Sequence, residues 1–555
     1  MEQNRFIDSL NHPIPRRANS YMLSTYSIVL EAWRRGLKVS FRFITQAPGK
    51  IIASYSISDI DKVYHFTVTR GNLVSKEAVK SVINKVTTKN ILEKNNIPTP
   101  GGKDFEAHVS DSEIINYASK LGYPVVIKPT DGQGGDGVIA GIQSEEELVE
   151  ALEYVRRKLQ SPQVILEKYF EGEDYRIYVI GNKVSAAYKR IKANVIGDGK
   201  STVKQLINQK NIERAKLPSL PESSIKIDDE VNTLLHRKGY NLDSVIPEGE
   251  FIYIKSKNNI SAGGESIDMT DKISDHIKET AINAASAFEN LPQCGVDIMI
   301  DEENDTGVII EINSRASIRQ HLIPVKGQGK DVSSDIIDFY FPESINYDRK
   351  RAQKFYLDFD YIYDVCFNKK VKELQLPELP KQGLKLTRYL ISNCNYTEAF
   401  AERVRQLAYL AGINGYIKPL NNGDISVVVG SSQKRINDFY ARLKQHLKLR
   451  KKTAKLEEKE RRSPIMHGFY IESLNEKNDN TDKNTLDKYI KDYAILESEY
   501  QNMVTRLAKY EQEEQTLELT KQQNKQLKKR LQQMEESNSW KFTKPIRALT
   551  GKKKK

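Results

Sequence analysis

Three oxygen-bearing side chains stand inside apolar sequence past the middle of the chain. Asp297 lies within CGVDIMI, Glu311 and Asn313 lie within GVIIEIN, and the polar turn DEENDTG separates the two runs. Two adjacent β-strands would bring all three to one end of a sheet. Carboxylate and amide oxygens suit a hard cation such as Mg2+, which usually sits beside substrate phosphates. Asp297 is flanked by Val296 and Ile298. Buried there, its carboxylate needs a cation or donors to offset desolvation. The plainer alternative is a hairpin with two surface acids.

A second group of residues could handle phosphate. Lys128 ends the strand-like run PVVIK, and the glycine-rich stretch Gly132-Gln133-Gly134-Gly135-Asp136-Gly137 follows closely. Glycines let backbone N–H groups approach and wrap phosphate oxygens, and a lysine at the strand end adds fixed positive charge. The stretch is neither a Walker loop nor a dinucleotide fingerprint, because GK[ST] and GxGxxG are missing. An ordinary surface loop has a similar composition.

These residues must be positioned by interleaved strands and helices. Residues 1–80 read as a small α/β unit, with a helix at Thr25–Arg34 and the strand LKVSFRFI. One helical pattern runs from Ser75 to Asn95, followed by a helix at 111–121, the strand Pro124–Lys128 and a helix at Ser144–Lys158. Strands at 163–168, 174–181 and 183–190, helices near 201–212 and 227–238, the strand Phe251–Lys255 and a helix at 272–289 lead to the acidic pair. The mixture of hairpins and crossovers predicts an α/β (α+β) multidomain chain rather than a regular doubly wound sheet. Residues 81–345 form the main domain and 346–384 a linker. In 385–474 the order strand (LKLTRYLI), helix, strand, strand, helix, strand (MHGFYIE) is the ferredoxin-like split βαβ pattern. A polar linker at 475–484 precedes a heptad seam of Leu486, Tyr489, Tyr493, Leu496, Tyr500, Met503, Leu507 and Tyr510, which predicts a coiled coil over 485–536. An amphipathic helix folded back on the domains is the alternative.

The 555 residues carry a net charge of +12. Residues 442–462 hold ten Lys/Arg and three Glu, and residues 525–555 eleven Lys/Arg and two Glu. These stretches contribute +7 and +9 and leave −4 elsewhere, so the basic excess belongs to the C-terminal part and argues against nucleic acid as the partner of the main site. Cys294, Cys366 and Cys394 are widely spaced, and the eight His residues show no HxxxH spacing. A disulfide framework and a zinc site are thereby disfavoured, and a reducing cytoplasm fits. No apolar run reaches the ~18–20 residues that span a bilayer, and no signal-peptide core opens the chain.

Lys85 in NKVTTKNILEKNNIPTP, Lys128 in YPVVIKPTDGQGGDGV, the segment VILEKYFEGEDYR and the GVDI…EIN pair occur in an order that resembles the ATP-grasp superfamily. Within it they look most like the ATP-grasp modules of cyanophycin synthetase and bifunctional glutathione synthetase. RIKANVIGDGKSTVKQLINQKN and NNISAGGESIDMTD are similar to segments of that subgroup. The resemblance covers residues 75–345 and implies an ATP-grasp fold using ATP with one or two Mg2+ ions, Mn2+ being the alternative metal. It implies that Lys85 and Lys128 hold the nucleotide phosphates and that Gly132, Gly134, Gly135 and Gly137 close over them. Glu167, Lys168, Tyr169 and Phe170 would meet the adenine, largely through backbone groups, and Asp174 the ribose hydroxyls. Asp297, Glu311 and Asn313 would hold the metal, while Arg190, Asn259 and Arg315 would stabilise the transferring phosphoryl group or the acceptor carboxylate. Four departures stand out: Asp136 in the glycine loop, Asn84 in place of the usual Asp before the first lysine, no proline in EINSRAS, and no Arg two residues before Asp297. The last speaks against close kinship with D-alanine–D-alanine ligases. His321 could touch substrate, with a purely structural histidine as the equal alternative.

The domain at 385–474 resembles an acylphosphatase through AERVRQLAYLAGINGYIKPLNNGDISVVV. The positions matching that family's phosphate-binding Arg and water-orienting Asn are Ala401 and Pro419, and neither can do that chemistry. The resemblance therefore implies an inactive interaction or substrate-guiding module. The tail SNSWKFTKPIRALTGKKKK (537–555) resembles the endings of some bacterial cell-envelope glycosyltransferases. Trp540 and Phe542 among lysines suit an anionic membrane face, with a solvated tail as the alternative. Together these resemblances imply a cytoplasmic ATP-dependent carboxylate–amine ligase, peripheral at the inner face of the membrane if the tail binds there. Its substrates would be small-molecule or polymer carboxylates and amines, and its coiled coil would pair with a second copy or a partner helix. The rival expectation is a nucleotide-binding scaffold of an envelope-polymer assembly complex, without ligase turnover.

Overall fold

The computed structural model describes residues 6–47, 50–130, 137–367, 372–379, 384–450 and 453–472, together with residue 528. The expected coiled coil and basic tail lie outside these residues apart from Lys528, and so do Gly132, Gly134 and Gly135 of the glycine loop.

The N-terminal region places the helix Leu23–Arg34, buried along its whole length, against an antiparallel sheet. A helix buried all round must satisfy its polar side chains internally. Arg34 does so by donating to the carbonyls of Ser9 and Phe355, while Glu31 accepts from Arg35 at 2.9 Å and Tyr347 at 2.7 Å. The sheet order is Leu374–Gln375, Lys38–Ala47, Lys50–Ser58, Val63–Thr67, Arg70–Gly71. Its first strand comes from the stretch expected to be a linker. That stretch instead carries the helices Arg349–Ala352 and Phe359–Phe367, and Phe355, Leu357 and Phe359 are buried in the core shared with Tyr26 and Trp33.

Two further sheets frame the central region. The smaller is antiparallel, in the order Gly102–Phe105, Val164–Lys168, Val125–Pro129, Ile139–Ile142, and packs on the helices Asp111–Leu121 and Glu145–Leu152. The larger runs Glu265–Asp268, Lys183–Ile191, Glu173–Ile180, Gln293–Asp301, Thr306–Asn313, again antiparallel. One of its faces, with Ile177, Val179, Val296 and Ile298, packs on the helices Lys76–Ile83 and Asp275–Ser286. On the other face Tyr178 and Ala186 join the core beneath Ile318 and Leu322, leaving the opposite end of the strands to the site. Residues 193–254 form a separate small core around Val195, Ile207, Val231 and Leu235.

The single helix expected over Ser75–Asn95 is two helices, Lys76–Ile83 and Lys85–Lys94. Asn84 breaks it. Its backbone is extended, and its side chain accepts from the Thr87 amide at 2.8 Å, so it caps the second helix. Asn can do here what the more usual Asp would do.

In the C-terminal sheet the order is Lys455–Glu460, Leu384–Ser392, Ile425–Ser432, Asn414–Pro419, Phe469–Ile471. The fourth strand of the ferredoxin-like pattern is thus KLEEKE, not the expected MHGFYIE. Of its six residues only Leu456 is not exposed. Such an edge strand lacks the alternation by which strands are recognised, and its charges protect the open edge. Phe469–Ile471 adds a fifth strand, parallel to Asn414–Pro419. Ala401 is fully buried in the core of the domain, and Pro419 pairs with Ile425 at the end of its strand. The three cysteines are buried and free.

Candidate functional site

The large sheet assembles an ionic cluster on one face through simple register. Arg190 lies opposite Asp174, Arg176 opposite Asp297, and Asp297 opposite Glu311. Since alternate residues share a face, Asp174 and Arg176 project together, as do Glu311 and Asn313. A bulge next to Glu311 changes the phase of its strand: Asp297 pairs with Glu311, yet Ile298 pairs with Ile309. Ile309 and Ile312 consequently both enter the core, while Ile310 and Glu311 line the cleft. Bulges re-aim side chains in this way beside functional sites.

Asp297 is the most constrained member. Arg176 grips it with two hydrogen bonds of 2.6 Å, and Arg190 Nη2 lies 2.7 Å from its Oδ1. Burial would raise this carboxyl, but Arg176 and Arg190 outweigh burial and hold it at about 2. The Arg190 contact is an ion pair without hydrogen-bond alignment, and its Nε and Nη2 are buried with no hydrogen-bond acceptor among the described residues. Burial and the neighbouring Asp297 charge push Glu311 upward against Arg176 and Lys85. With its amide oriented to satisfy both neighbours, Asn313 donates to Glu311 Oε1 and accepts from Arg176 Nη2, each at 3.3 Å.

Arg176 was not among the residues anticipated, although it stands in the quoted segment EGEDYR. Its signal was its place two residues after Asp174, on the same face of a strand. Gly295, where the sequence lacks an arginine, explains its course. A side chain at 295 would meet Ala316 Cβ at 2.4 Å, and the Arg176 chain passes at 3.6 Å. The guanidinium beside Asp297 is thus supplied by the neighbouring strand.

Asp174 sits within the same cluster, 3.4 Å from Arg190 Nε, and accepts from Asn258 Nδ2 at 3.2 Å. Burial raises its pKa, opposed by Arg190 and reinforced by Asp297. The expected Asn259 is exposed, and its side-chain oxygen caps the short turn Ile260–Ala262 through Ser261, at 3.0 Å from the amide and 2.7 Å from the hydroxyl. Its neighbour Asn258 is the amide that reaches the cluster. Arg315 is exposed.

The smaller sheet supplies the lysines. Lys128 is buried at the end of its strand and pairs with Glu167 at 2.6 Å, while Lys89 lies 3.7 Å from the same carboxylate. Lys85, the first residue of its helix, donates to Pro129 O at 3.2 Å. Lys85, Lys128, Glu167, Ile310 and Glu311 line one cavity, so both sheets meet there. The amides of Lys168 and Tyr169 donate to Gly101 O at 2.7 Å and Pro124 O at 3.0 Å, and Lys168 Nζ donates to Gly122 O and Tyr123 O. Both amides are therefore already engaged by the backbone of neighbouring segments. Gly137 closes the glycine loop with φ +71°, and a Cβ there would strike Pro129 Cγ at 2.6 Å.

His321 packs among aromatic rings. It is buried, with ring centroids 5.9 Å from Tyr178 and 4.6 Å from Tyr188, and neither ring nitrogen has a hydrogen-bond partner among the described residues. Burial, then Arg176 and Arg190, lower its pKa to about 3, so the ring is neutral.

Among the described residues no three His, Cys, Asp or Glu side chains group as a metal site. The donor set of Asp297, Glu311 and Asn313 nevertheless fits a hard cation, which needs only one or two carboxylates when phosphates complete its shell. Glu311 and Asn313 are the more open donors, since Asp297 already serves two arginines. No helix among the described residues is long and apolar enough to cross a membrane.

Two regions of the chain match known families. The ATP-grasp domain family matches residues 82–317, and the acylphosphatase family matches residues 399–471. The glutathione biosynthesis bifunctional protein GshAB of Clostridium perfringens is 34% identical over 332 residues, 58% of this chain and 41% of that protein. Cyanophycin synthetase of Synechocystis sp. is 31% identical over 330 residues, 58% of this chain and 36% of that protein. The crystal structure of a bifunctional glutathione synthetase from Pasteurella multocida aligns with 25% identity and a TM-score of 0.42, covering 55% of this chain and 42% of that one. The chain therefore spans about two fifths of the length of these relatives. It carries an ATP-grasp domain followed by an acylphosphatase-like domain.

Proposed function

We propose that the chain is an ATP-dependent carboxylate–amine ligase that forms an amide through an acyl phosphate, on an amino acid, a peptide or an envelope polymer. The observation that carries this reading is the convergence of Lys85, Lys128 and Glu311 on one cavity, with Asp297, Arg176 and Arg190 in register beside it. A carboxylate is a poor electrophile. Attack of its oxygen on the γ-phosphorus of ATP releases ADP and makes the acyl carbon reactive. The amine nitrogen then attacks that carbon, the C–O bond to phosphate breaks, and the nitrogen loses a proton.

Such chemistry asks mainly for positioning and charge stabilisation, which the residues present can supply. Lys85 and Lys128 hold the phosphates, with Glu167 releasing Lys128 as an anionic partner arrives. Arg190 turns its unsatisfied donors to the transferring group. Arg176 holds Asp297 ionised and aligned. ATP-grasp ligases use ATP and Mg2+, and bound Mg2+ would neutralise charge on the phosphates from Asp297, Glu311 and Asn313. The acylphosphatase-like domain, with Ala401 and Pro419 at the critical positions, serves to dock a substrate or partner. The basic tail reaches an anionic surface, and the heptad segment joins a second copy or a partner helix.

Purified chain supplied with ATP, Mg2+ and pooled amino acids, peptides or amino sugars should release ADP in an acceptor-dependent manner. Asp297→Ala should abolish that release. ATP binding without turnover on any acceptor would instead favour a nucleotide-binding scaffold.

A further inference from the structure

The helices Glu398–Leu410 and Gln433–Arg450 cover one face of the acylphosphatase-like sheet. Phe400, Val404 and Leu407 of the first and Ile436, Phe439 and Leu443 of the second share one core with the sheet residues Tyr389, Ile417 and Val427. The other face of the sheet is occupied too, since Leu384, Leu386 and Val428 belong to the core that contains Phe355. The two helices run antiparallel. The rings of Phe400 and His446 stack at 5.8 Å near one end, and at the other a Cβ on Gly412 would meet Arg435 Nη1 at 2.8 Å. The outer side of the pair is the open surface of the domain.

At one end of that surface stand Tyr409 and Leu410, 84% and 71% exposed, as the last two residues of their helix. Single exposed apolar residues are ordinary, but two adjacent ones rimmed by charge mark a contact. The rim comes from the second helix, where Lys434, Arg435, Arg442, Lys444 and Lys448 are exposed against one acid, Asp438. Among the described residues none of these five is paired with a carboxylate, and Lys444 only leans over the Tyr440 ring at 5.7 Å. Nearby acids are already engaged. Glu402 pairs with Arg405 at 2.7 Å, and Glu458, Glu457 and Glu460 of the edge strand pair with Lys385, Lys459 and Arg462 at 3.8, 3.5 and 3.6 Å. Lys434 and Lys448, fourteen positions apart, share a stripe with Arg442 beside it, opposite the buried seam of Ile436, Phe439, Leu443 and Leu447.

The residue types select the partner. Lysine ammonium groups are flexible point charges that suit a diffuse field of phosphates, whereas a fixed carboxylate is better matched by an arginine fork. An aromatic and an aliphatic side chain beside such charges fit the level of lipid headgroups, where apolar groups enter and basic groups stay with the phosphates. A soluble acidic chain would answer the charges and leave Tyr409 and Leu410 in water. We propose that this helix pair docks the protein on an anionic lipid surface, with Tyr409 and Leu410 entering the headgroup layer and Lys434, Arg442 and Lys448 against the phosphates. The proposed ligase reaction neither needs nor excludes such a contact, so either can fail while the other stands.

Full-length protein carrying Trp540→Phe and Tyr409→Trp provides a local probe, because the remaining indole, Trp33, is buried. With vesicles of phosphatidylglycerol and phosphatidylcholine, the emission of the new indole should shift to the blue and be quenched by brominated acyl chains. Vesicles of phosphatidylcholine alone should do neither. In the otherwise unaltered chain, Lys434→Gln, Arg442→Gln and Lys448→Gln should each weaken co-sedimentation with the anionic vesicles by about fivefold, and together by about a hundredfold. Tyr409→Ser combined with Leu410→Ser should weaken it by about tenfold. All five side chains are exposed, so unchanged thermal melting will show that the variants fold. Undiminished vesicle binding in the charge variant or in the apolar variant would overturn the proposal. So would an indole at 409 that stays in water while the protein sediments with the vesicles, which would leave the contact to another part of the chain. An equal blue shift with poly-L-glutamate would assign the face to a soluble acidic polymer and overturn it as well.

Discussion

At the scale of single residues, Arg176 and Asp297 act as one unit. Both are largely removed from solvent, and two bonds of 2.6 Å join them. Losing one partner of a buried pair costs about 3–5 kcal/mol, because the other charge stays buried without compensation. Arg190 tempers that cost for Asp297 by remaining 2.7 Å away. Arg176→Gln and Asp297→Asn should therefore each destabilise the chain by about 3 kcal/mol. The double variant should cost clearly less than the sum, which calorimetric melting of the four proteins can measure; strict additivity would refute the coupling. Arg176→Lys keeps the charge but loses the bidentate grip, and should reduce the proposed ligase turnover by about 10–100-fold with a smaller stability loss. The acids of this cluster were legible in the sequence because carboxylates inside apolar runs are unusual. Arg176 was not, because an arginine in EGEDYR reads as one more charge in a polar segment until strand pairing sets it opposite Asp297.

At the scale of elements, helix ends and strand phase decide where the lysines and acids point. Asn84 starts the helix Lys85–Lys94, so Lys85 occupies its first turn and faces the cavity. Replacing this cap by alanine should cost about 1 kcal/mol and weaken ATP binding, whereas Asn84→Asp should preserve both. Circular dichroism melts with nucleotide titrations would check this, and equal losses in both variants would rule out the cap as the cause. Most strands and helices of the central domain could be read from periodicity, within a few residues at their ends. The exceptions share a physical origin. A helical pattern continued across Asn84 because the apolar spacing on both sides is compatible with one helix. KLEEKE escaped notice because an edge strand exposed on both faces has no apolar face to alternate. The phase change at Glu311 is likewise hidden in GVIIEIN, where a bulge rather than alternation places two isoleucines in the core.

At the scale of the whole molecule, one continuous core ties the N-terminal helix Leu23–Arg34 to the helix Val332–Tyr340, the stretch 352–366 and the acylphosphatase-like sheet through Leu384, Leu386, Val428 and Ile465. Asp331 caps the helix Val332–Tyr340 and accepts from Ser9 Oγ at 2.9 Å, joining two of these parts. Burial, and then the Glu31 charge, raise its pKa from 3.8 to about 6. A carboxyl raised in this way binds its proton more tightly in the folded state. Its contribution to stability is full below the unfolded value near 3.8 and is lost as pH rises through about 6. Asp331→Asn should therefore raise Tm relative to wild type at pH 8, by the equivalent of up to about 3 kcal/mol, and change little at pH 4. An equal shift at both pH values would exclude this titration as the cause. The sequence by itself determined the chemistry of the candidate site: oxygen donors in apolar runs, lysines at the start of a helix and the end of a strand, and a glycine loop that admits phosphate. Those properties belong to residue types and short spacings, which a chain carries before it folds. Only the tertiary structure decided which arginine stands beside Asp297, that Asn258 rather than Asn259 meets Asp174, and that Arg70 of the N-terminal hairpin meets Ser314. Such pairings join residues 84 to 244 positions apart, and no local pattern in the sequence encodes them.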